Sequence, residues 1–312
     1  MAIRTRLAVD KTVTLDINGS TQRIRLCAAR PGLTPLLVVQ AGPGLPVLNE
    51  VAKFQQRLHL EQDFLVGYWE QRGCGVASKE DAKNVSIQQQ VDDLRAVLRW
   101  FHNETKQPIV VLAISIGGTI ALRAVEREPG LAKALVAISP DSHTAMSDAS
   151  VDAFLQEQSL RAGGRLRRKV MKLARPPYLD PAALQRRASL LIDFGAIERG
   201  RTFGALLREA LFSMIRTYGA VGAIKALRNM NLIQRTMLPE LVSLDLFANP
   251  PRLATPVHYV FGGQDALTPA SVVKDLPAAI AAPAKTVLLV PDAGHMVHFD
   301  HPDIVRKVAV NA

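Results

Sequence analysis

Cysteine is scarce. The 312-residue chain has only Cys27 and Cys74, too few for a disulfide scaffold, although one bond between them stays open at this stage. A reducing cytoplasm is the expected setting. The two cysteines lack metal-ligand spacing and no His/Cys cluster supplies it, so neither a metal nor a cofactor is expected. Long apolar runs are missing too: none approaches the roughly 18 residues a membrane-spanning helix needs. The N-terminal MAIRTRLAVD is basic but has no apolar stretch behind it, unlike a secretory leader. Acidic charge is in deficit, 28 Asp and Glu against 38 Lys and Arg, a net charge of +10. Such a balance can signal nucleic acid. Here the charges are scattered, with one dense run at Arg165–Lys169, and no zinc finger or aromatic-interleaved basic patch occurs, so a solvated basic face is the expectation.

What is present fits a folded enzyme-sized core, with 48% hydrophobic and 21% charged residues. Thr12–Ile17 and Gln22–Ala28 alternate around the turn signal Asn18–Gly19. Buried strands are then expected at Leu36–Gln40, Phe64–Trp69, Ile109–Ile114, Ala134–Ile138, Val257–Phe261 and Thr286–Val290. Helical patterns at Asn49–Leu60, Ile87–His102, Ile116–Arg127, Pro269–Ile280 and Pro302–Val310 separate them, and Ser86 with Gln89 forms a capping-box signal. Apolar runs alternating with helices predict an α/β fold with a mostly parallel sheet covered on both faces. Residues 141–250 lack strands and read as helices broken at Gly163–Gly164, Pro176–Pro177 and Pro250–Pro251. The expected organisation is a core of 1–140 and 251–312, with 141–250 inserted as a helical cap.

Ala113–Ile114–Ser115–Ile116–Gly117–Gly118 follows an expected strand and opens an expected helix. Small residues two before and two after the serine are what a sharp nucleophile elbow requires. The competing reading of Ser115 is an ordinary helix cap. A serine hydroxyl needs a base, and the base a carboxylate to hold its tautomer. Asp265, after Phe261–Gly262–Gly263–Gln264, and His295, after Asp292–Ala293–Gly294, each follow a strand in the order such a triad takes. His298 and His301 are the rival bases and Asp292 the rival acid. Gln40–Ala41–Gly42–Pro43–Gly44 follows another strand, where the N–H of Gly42, with that of Ile116, would make an oxyanion hole. A tight Gly–Pro turn is the plainer alternative.

Ala41–Gly42–Pro43–Gly44, Tyr68–Trp69–Glu70–Gln71–Arg72–Gly73–Cys74–Gly75 and the Ser115 elbow resemble the proline iminopeptidases and their relatives. That family carries a His-Gly-Gly-Pro-Gly loop and an Asp-Gln-Arg-Gly-Cys-Gly segment at the matching places. The resemblance covers about two-thirds of the chain. It implies an α/β-hydrolase with a helical cap, a triad of Ser115, Asp265 and His295, and oxyanion donors at Gly42 and Ile116. Three positions depart from the family: Gln40 stands for His, Ala41 for Gly, and Ile116 for the usual Trp. These departures leave hydrolase chemistry intact and bear on peptidase specificity. Glu70 reads as part of a structural turn.

The reading is thus a serine hydrolase acting on an ester, amide or N-terminal peptide bond of a small molecule or short peptide. A lyase or cyclase using the same triad, and a ligand-binding receptor with little turnover, are the alternatives. The segment 141–250 holds ten acids and sixteen Lys or Arg, an odd lid for a cationic amine. Glu209 and Glu240 are the local carboxylates that could offset it. Phe194, Phe203, Phe212, Met214, Tyr218 and Met230 would form the cap's own core or line an apolar pocket.

Overall fold

The computed structural model describes residues 7–312. The N-terminal basic residues 1–6, part of the segment compared above with a secretory leader, lie outside that range. Eight strands form one sheet in the order β1-β2-β4-β3-β5-β6-β7-β8. They are β1 (Val9–Ile17), β2 (Ser20–Ala28), β3 (Thr34–Val39), β4 (Phe64–Glu70), β5 (Ile109–Ile114), β6 (Ala132–Ile138), β7 (Val257–Gly262) and β8 (Lys285–Val290). β2 pairs antiparallel with β1 and β4, and every other pairing is parallel. The central strands β3 and β5 are apolar along nearly their whole length because helices cover both faces.

The helices are α1 (Val51–Leu58), α2 (Lys79–Lys83), α3 (Ile87–Thr105), α4 (Ile116–Glu126), α5 (Thr144–Arg161), α6 (Gly164–Met171), α7 (Pro181–Asp193), α8 (Phe203–Val242), α9 (Ala270–Ala279), α10 (Val297–Asp300) and α11 (Pro302–Val310). One face of the sheet packs Leu37, Val39, Val111 and Tyr259 against α3, α4 and α9. The other packs Leu36, Val38, Leu112 and Val260 against α1, α10 and α11. Helices α5 to α8 all fall between β6 and β7. α8 is two helical limbs meeting at Gly219, whose φ of 73° and ψ of 170° interrupt the helix. Short helices α2 and α10 were not expected from sequence; at five and four residues they are below the length at which periodicity shows. Among the described residues no helix is long and apolar enough to cross a membrane, and Cys27 and Cys74 are free and buried, which closes the disulfide question.

The N-terminal half of the sheet is fastened by a buried carboxylate. Asp93 on α3 receives Arg72 Nε at 2.7 Å, Arg72 Nη2 at 2.9 Å, Gln22 Nε2 at 2.8 Å, Asn18 Nδ2 at 2.8 Å and Gln89 Nε2 at 3.0 Å. The Gln89 amide is therefore spent on Asp93, and only half of the expected capping box forms: Ser86 Oγ accepts from Gln89 N at 3.0 Å. Glu70, two residues before Arg72, is buried and accepts from Leu48 N at 3.2 Å, Tyr218 Oη at 2.6 Å and Arg23. The Glu70–Gly75 segment is thus structural, as its turn-like sequence implied. Truncating Asp93 takes from the buried Arg72 its closest carboxylate and leaves it only Asp81, at 3.5 Å from Nη1, so Asp93→Ala should lower the unfolding free energy by about 3 kcal/mol. Urea denaturation checks this; a loss below about 1 kcal/mol would mean water replaces the carboxylate.

Candidate active site

β5 ends at Ile114 and α4 begins at Ile116, leaving Ser115 alone in the turn at φ 56° and ψ −127°. A non-glycine residue there carries backbone strain, which the surroundings must hold in place. They do so through three hydrogen bonds. Ser115 N donates to Ile138 O at 2.9 Å, Gly118 N donates to Ser115 O at 2.8 Å, and Asp141 N donates to Ser115 O at 3.3 Å. The first turn of α4 also presses on the end of β3. A Cβ at Gly117 would stand 2.6 Å from the carbonyl oxygens of both Val39 and Gln40, so only glycine permits the approach.

Asp265 and His295 come from the loops after β7 and β8. These two loops lie against each other: Gln264 N donates to Ala293 O at 2.8 Å, and a Cβ at Gly262 would reach 2.6 Å from that same oxygen. The contact explains the Gly262–Gly263 pair before Asp265. His295 Nδ1 lies 2.7 Å from Asp265 Oδ2, with both side chains buried, while Asp265 Oδ1 accepts from Leu267 N at 2.8 Å. His295 Nε2 is buried with no protein partner. Burial disfavours the His295 imidazolium, but the charge and hydrogen bond of Asp265, with the charge of Asp141, outweigh it and raise its pKa above the ordinary value.

The rivals sit elsewhere. His298 is buried and stacked on Phe54 with ring centroids 5.5 Å apart, and burial holds its pKa well below the ordinary value. His301 Nε2 lies 3.0 Å from Asp292 Oδ1 at the surface. Gly42 and Ile116 are neighbours: a Cβ at Gly42 would lie 3.5 Å from Ile116 Cγ2. Ile116 N belongs to the first turn of α4, where amides have no intrahelical acceptor.

Sequence reasoning missed Asp141. It follows β6 by three residues, and its Oδ1 accepts from Ser115 Oγ at 3.3 Å. Thr119 Oγ1 donates to its carbonyl. Burial raises the Asp141 pKa and the nearby Asp265 adds to the rise, against the opposing pull of His295. Asp141 stands just past a strand end, as Asp265 does, but what makes it part of the site is β6 lying beside β5, which no local sequence pattern shows. Arg187 on α7 was missed as well. It pairs with Asp148, and its charge acts on both His295 and Asp141.

The inserted helices rest on the carboxyl ends of the strands. Ala196 O and Ile197 O accept from His295 N and Met296 N, each at 2.8 Å. Tyr218 reaches Glu70, Ser213 Oγ donates to Asn49 O, and Asn229 Nδ2 donates to Gly75 O at 3.2 Å and Ala77 O at 3.0 Å. The proposed offsetting acids are already engaged. Glu209 pairs with Arg201 and, at 3.7 Å, with Lys53, and Glu240 accepts from Ile87 N at 2.7 Å. Of the six large cap residues, Met214 is buried and Phe194 packs edge-on to Phe154. Phe203 and Phe212 are instead exposed. Among the described residues, no group of three or more His, Cys, Asp or Glu could hold a metal ion.

A family model described as "Alpha/beta hydrolase family" matches residues 55–308. The chain is 22% identical over 293 residues to a protein of Bacillus subtilis named a probable aminopeptidase, YbaC, covering 92% of this chain and 91% of that one. A solved proline iminopeptidase of Mycobacterium smegmatis superposes with a TM-score of 0.69 at 17% identity, over 96% of this chain and 97% of the other. An esterase of Exiguobacterium antarcticum gives 0.62 at 16% identity, over 96% and 98%. At these identities the structural likeness is one of fold.

The charge arrangement fixes an order for the histidine titration. Both carboxylates favour the imidazolium, so removing either charge lowers the His295 pKa, and Asp265→Asn lowers it further than Asp141→Asn. NMR titration of the ring-labelled protein reads this directly. An unchanged or higher value in Asp141→Asn would remove Asp141 from the electrostatics of the site.

Proposed function

The chain belongs to the alpha/beta hydrolase family, and from that premise we propose that it is a serine hydrolase working through an acyl-enzyme. Ser115 attacks the scissile carbonyl, His295 takes the Oγ proton and returns it to the leaving group, and Asp265 keeps the imidazole in one tautomer. Gly42 N and Ile116 N hold the oxyanion. Residues 141–250 act as the cap over the site, on a core of 1–140 and 251–312. The observation that carries the reading is the strained turn at Ser115, set at the strand ends that also present the paired Asp265 and His295. Strain of that kind persists where a function requires it.

Each residue has one task in the cycle. The raised His295 pKa makes it a willing proton acceptor, and the low-dielectric pocket strengthens its pairing with Asp265 when it becomes charged. Water attack on the acyl-enzyme repeats the same proton movements with water in place of Ser115. Hydrolysis of an ester, amide or N-terminal peptide bond follows from one set of steps.

The acyl group is where two observations compete. The basic cap, with its two candidate acids already engaged, favours esters and non-cationic amides. Asp141 favours a second reading. A carboxylate touching the nucleophile hydroxyl stands beside the position of a substituent on the carbon next to the scissile carbonyl, where a free amine would be. The likeness to a protein named a probable aminopeptidase points the same way.

One kinetic panel tests the proposal. It compares a short-chain p-nitrophenyl ester, an N-blocked amide and a prolyl arylamide, each normalised to its uncatalysed rate, with Ser115→Ala as control. The expected result is loss of activity on the order of 10^4-fold or more in Ser115→Ala, and a higher kcat/KM for the ester and blocked amide. A prolyl arylamide winning by more than about tenfold, or about 1.4 kcal/mol, would give Asp141 to the substrate amine. Full activity in Ser115→Ala would overturn the proposal itself.

A further inference from the structure

The helices inserted between β6 and β7 carry a face that the fold leaves uncovered. Half of the fourteen large apolar side chains exposed among the described residues fall between Phe203 and Ile224. Scattered singly such residues are ordinary, but gathered together they mark a contact surface. The two limbs of α8 meet at Gly219, and Met214 of the first packs with Ala223 and Ala226 of the second. Ser213 and Tyr218 fasten the first limb to Asn49 and Glu70, and Asn229 fastens the second to Gly75 and Ala77. What remains outside is the opposite side.

Two neighbouring rows run along that side of the first limb. Phe203, Leu207, Leu211 and Ile215 follow one another at intervals of four and are 37–50% exposed. One residue on from each stand Gly204, Arg208, Phe212 and Arg216, all exposed, Phe212 by 69%. Residues four apart share a helix face, so apolar and guanidinium groups are interleaved on one surface. Beyond the break, Val221 and Ile224 are 82% and 70% exposed. The charge here is one-sided. Residues 199–230 hold six Lys or Arg and a single acid, Glu209, which is paired with Arg201. Arg201, Thr202, Arg208, Glu209 and Phe212 help to line a hollow of about 580 Å³, and Arg201 keeps a buried Nε with no protein acceptor.

We propose that the outward side of α8 is a membrane-docking surface, which lies on a bilayer containing anionic lipid without spanning it. The chemistry selects the occupant. Exposed aliphatic and aromatic side chains enter the boundary between headgroups and acyl chains. Arginines beside them lay their methylene stems along that boundary and turn their guanidinium groups to the phosphates. Attraction to negative surface charge adds to the apolar contact. The hollow offers a lipid phosphate the guanidinium groups of Arg201 and Arg208 beside the Phe212 ring. A second copy of the chain fits less well, because two such faces would set six cations against six with one acid on each. A wholly apolar partner would strip the arginines of water and supply no acceptor.

The surface adjoins the candidate active site without using its residues. The backbone shortly before α8, at Ala196 and Ile197, accepts from His295 N and Met296 N. None of Ser115, Asp265 and His295 lies on α8, so the surface can be altered apart from the proposed chemistry.

Co-sedimentation of the full chain with large unilamellar vesicles tests this. The chain should pellet with mixed phosphatidylcholine–phosphatidylglycerol vesicles and stay in solution with phosphatidylcholine alone. Raising the salt should release it. Arg208→Gln with Arg216→Gln removes charge, and Phe212→Ser with Ile224→Ser removes apolar surface. Each pair should weaken partitioning by about tenfold or more. All four side chains are exposed, so the Tm should hold; Val221→Ser repeats the apolar arm should the first pair melt earlier. A wild-type chain that stays in solution with the mixed vesicles overturns the proposal. So does undiminished binding in either pair. A larger loss from Arg167→Gln with Arg168→Gln, exposed on α6, would move the surface to that helix and overturn it too. Two other occupants have their own signatures, and either contradicts a lipid surface. One is a dimer that dissociates in Phe212→Ser with Ile224→Ser. The other is a DNA duplex bound as tightly as the mixed vesicles, with no loss in that apolar pair.

Discussion

A single residue held in a left-handed backbone conformation organises the end of the sheet that carries the candidate active site. Ser115 can adopt φ 56° because β5 and α4 meet there with no residue to spare, and because its own amide and carbonyl are tied to Ile138, Gly118 and Asp141. The turn forces α4 back under the sheet so closely that its second residue must be glycine. From that follow the positions of the neighbouring strand ends. Gly42 at the end of β3 lies beside Ile116, and Asp141 at the end of β6 lies beside Ser115 Oγ. Strain of about 1–3 kcal/mol at one residue is small against a core packed on both faces of the central strands.

The inserted helices are fastened to the core by apolar packing, Ile233 and Met237 of α8 against Cys74, Ala82 and Val85 and Leu190 and Leu191 of α7 in one cluster with Ala266, and by polar contacts. Glu70 couples β4 to Tyr218 on α8, Asn229 caps the carbonyls of Gly75 and Ala77, and the backbone of residues 196 and 197 runs along that of 295 and 296. The segment from Glu70 to Gly75 therefore works in two directions. Arg72 binds inward to Asp93, and Glu70 binds upward to the insertion. Its resemblance to a family motif reflects this double anchoring and not contact with the reacting atoms.

Much of the fold was legible because both faces of the sheet are covered. The strands expected at Ile109–Ile114 and Phe64–Trp69 appear within one residue of those bounds, since a fully apolar run flanked by turn residues leaves little choice. The hairpin at Asn18–Gly19 was equally plain. Helix ends were less so. The expected Asn49–Leu60 helix is Val51–Leu58, with His59 in a left-handed conformation that periodicity does not encode. At the site, chain order pointed to Asp265 beside His295, and the two lie 2.7 Å apart. Asp141 was illegible for a specific reason. Its importance comes from β6 lying next to β5 in the sheet, a neighbour relation that no local pattern carries. The outward faces of Phe203 and Phe212 were illegible for the opposite reason, because amphipathic spacing does not say which side of a helix is covered.

The central claim is that Ser115 is the residue to which an acyl group becomes attached. Intact and peptide mass spectrometry after reaction with a fluorophosphonate tests it most directly. The account predicts one phosphonyl group per chain, on the peptide containing Ser115, with no adduct in Ser115→Ala and slowed labelling in His295→Ala. Labelling that persists in Ser115→Ala, or that maps to another serine, would contradict it.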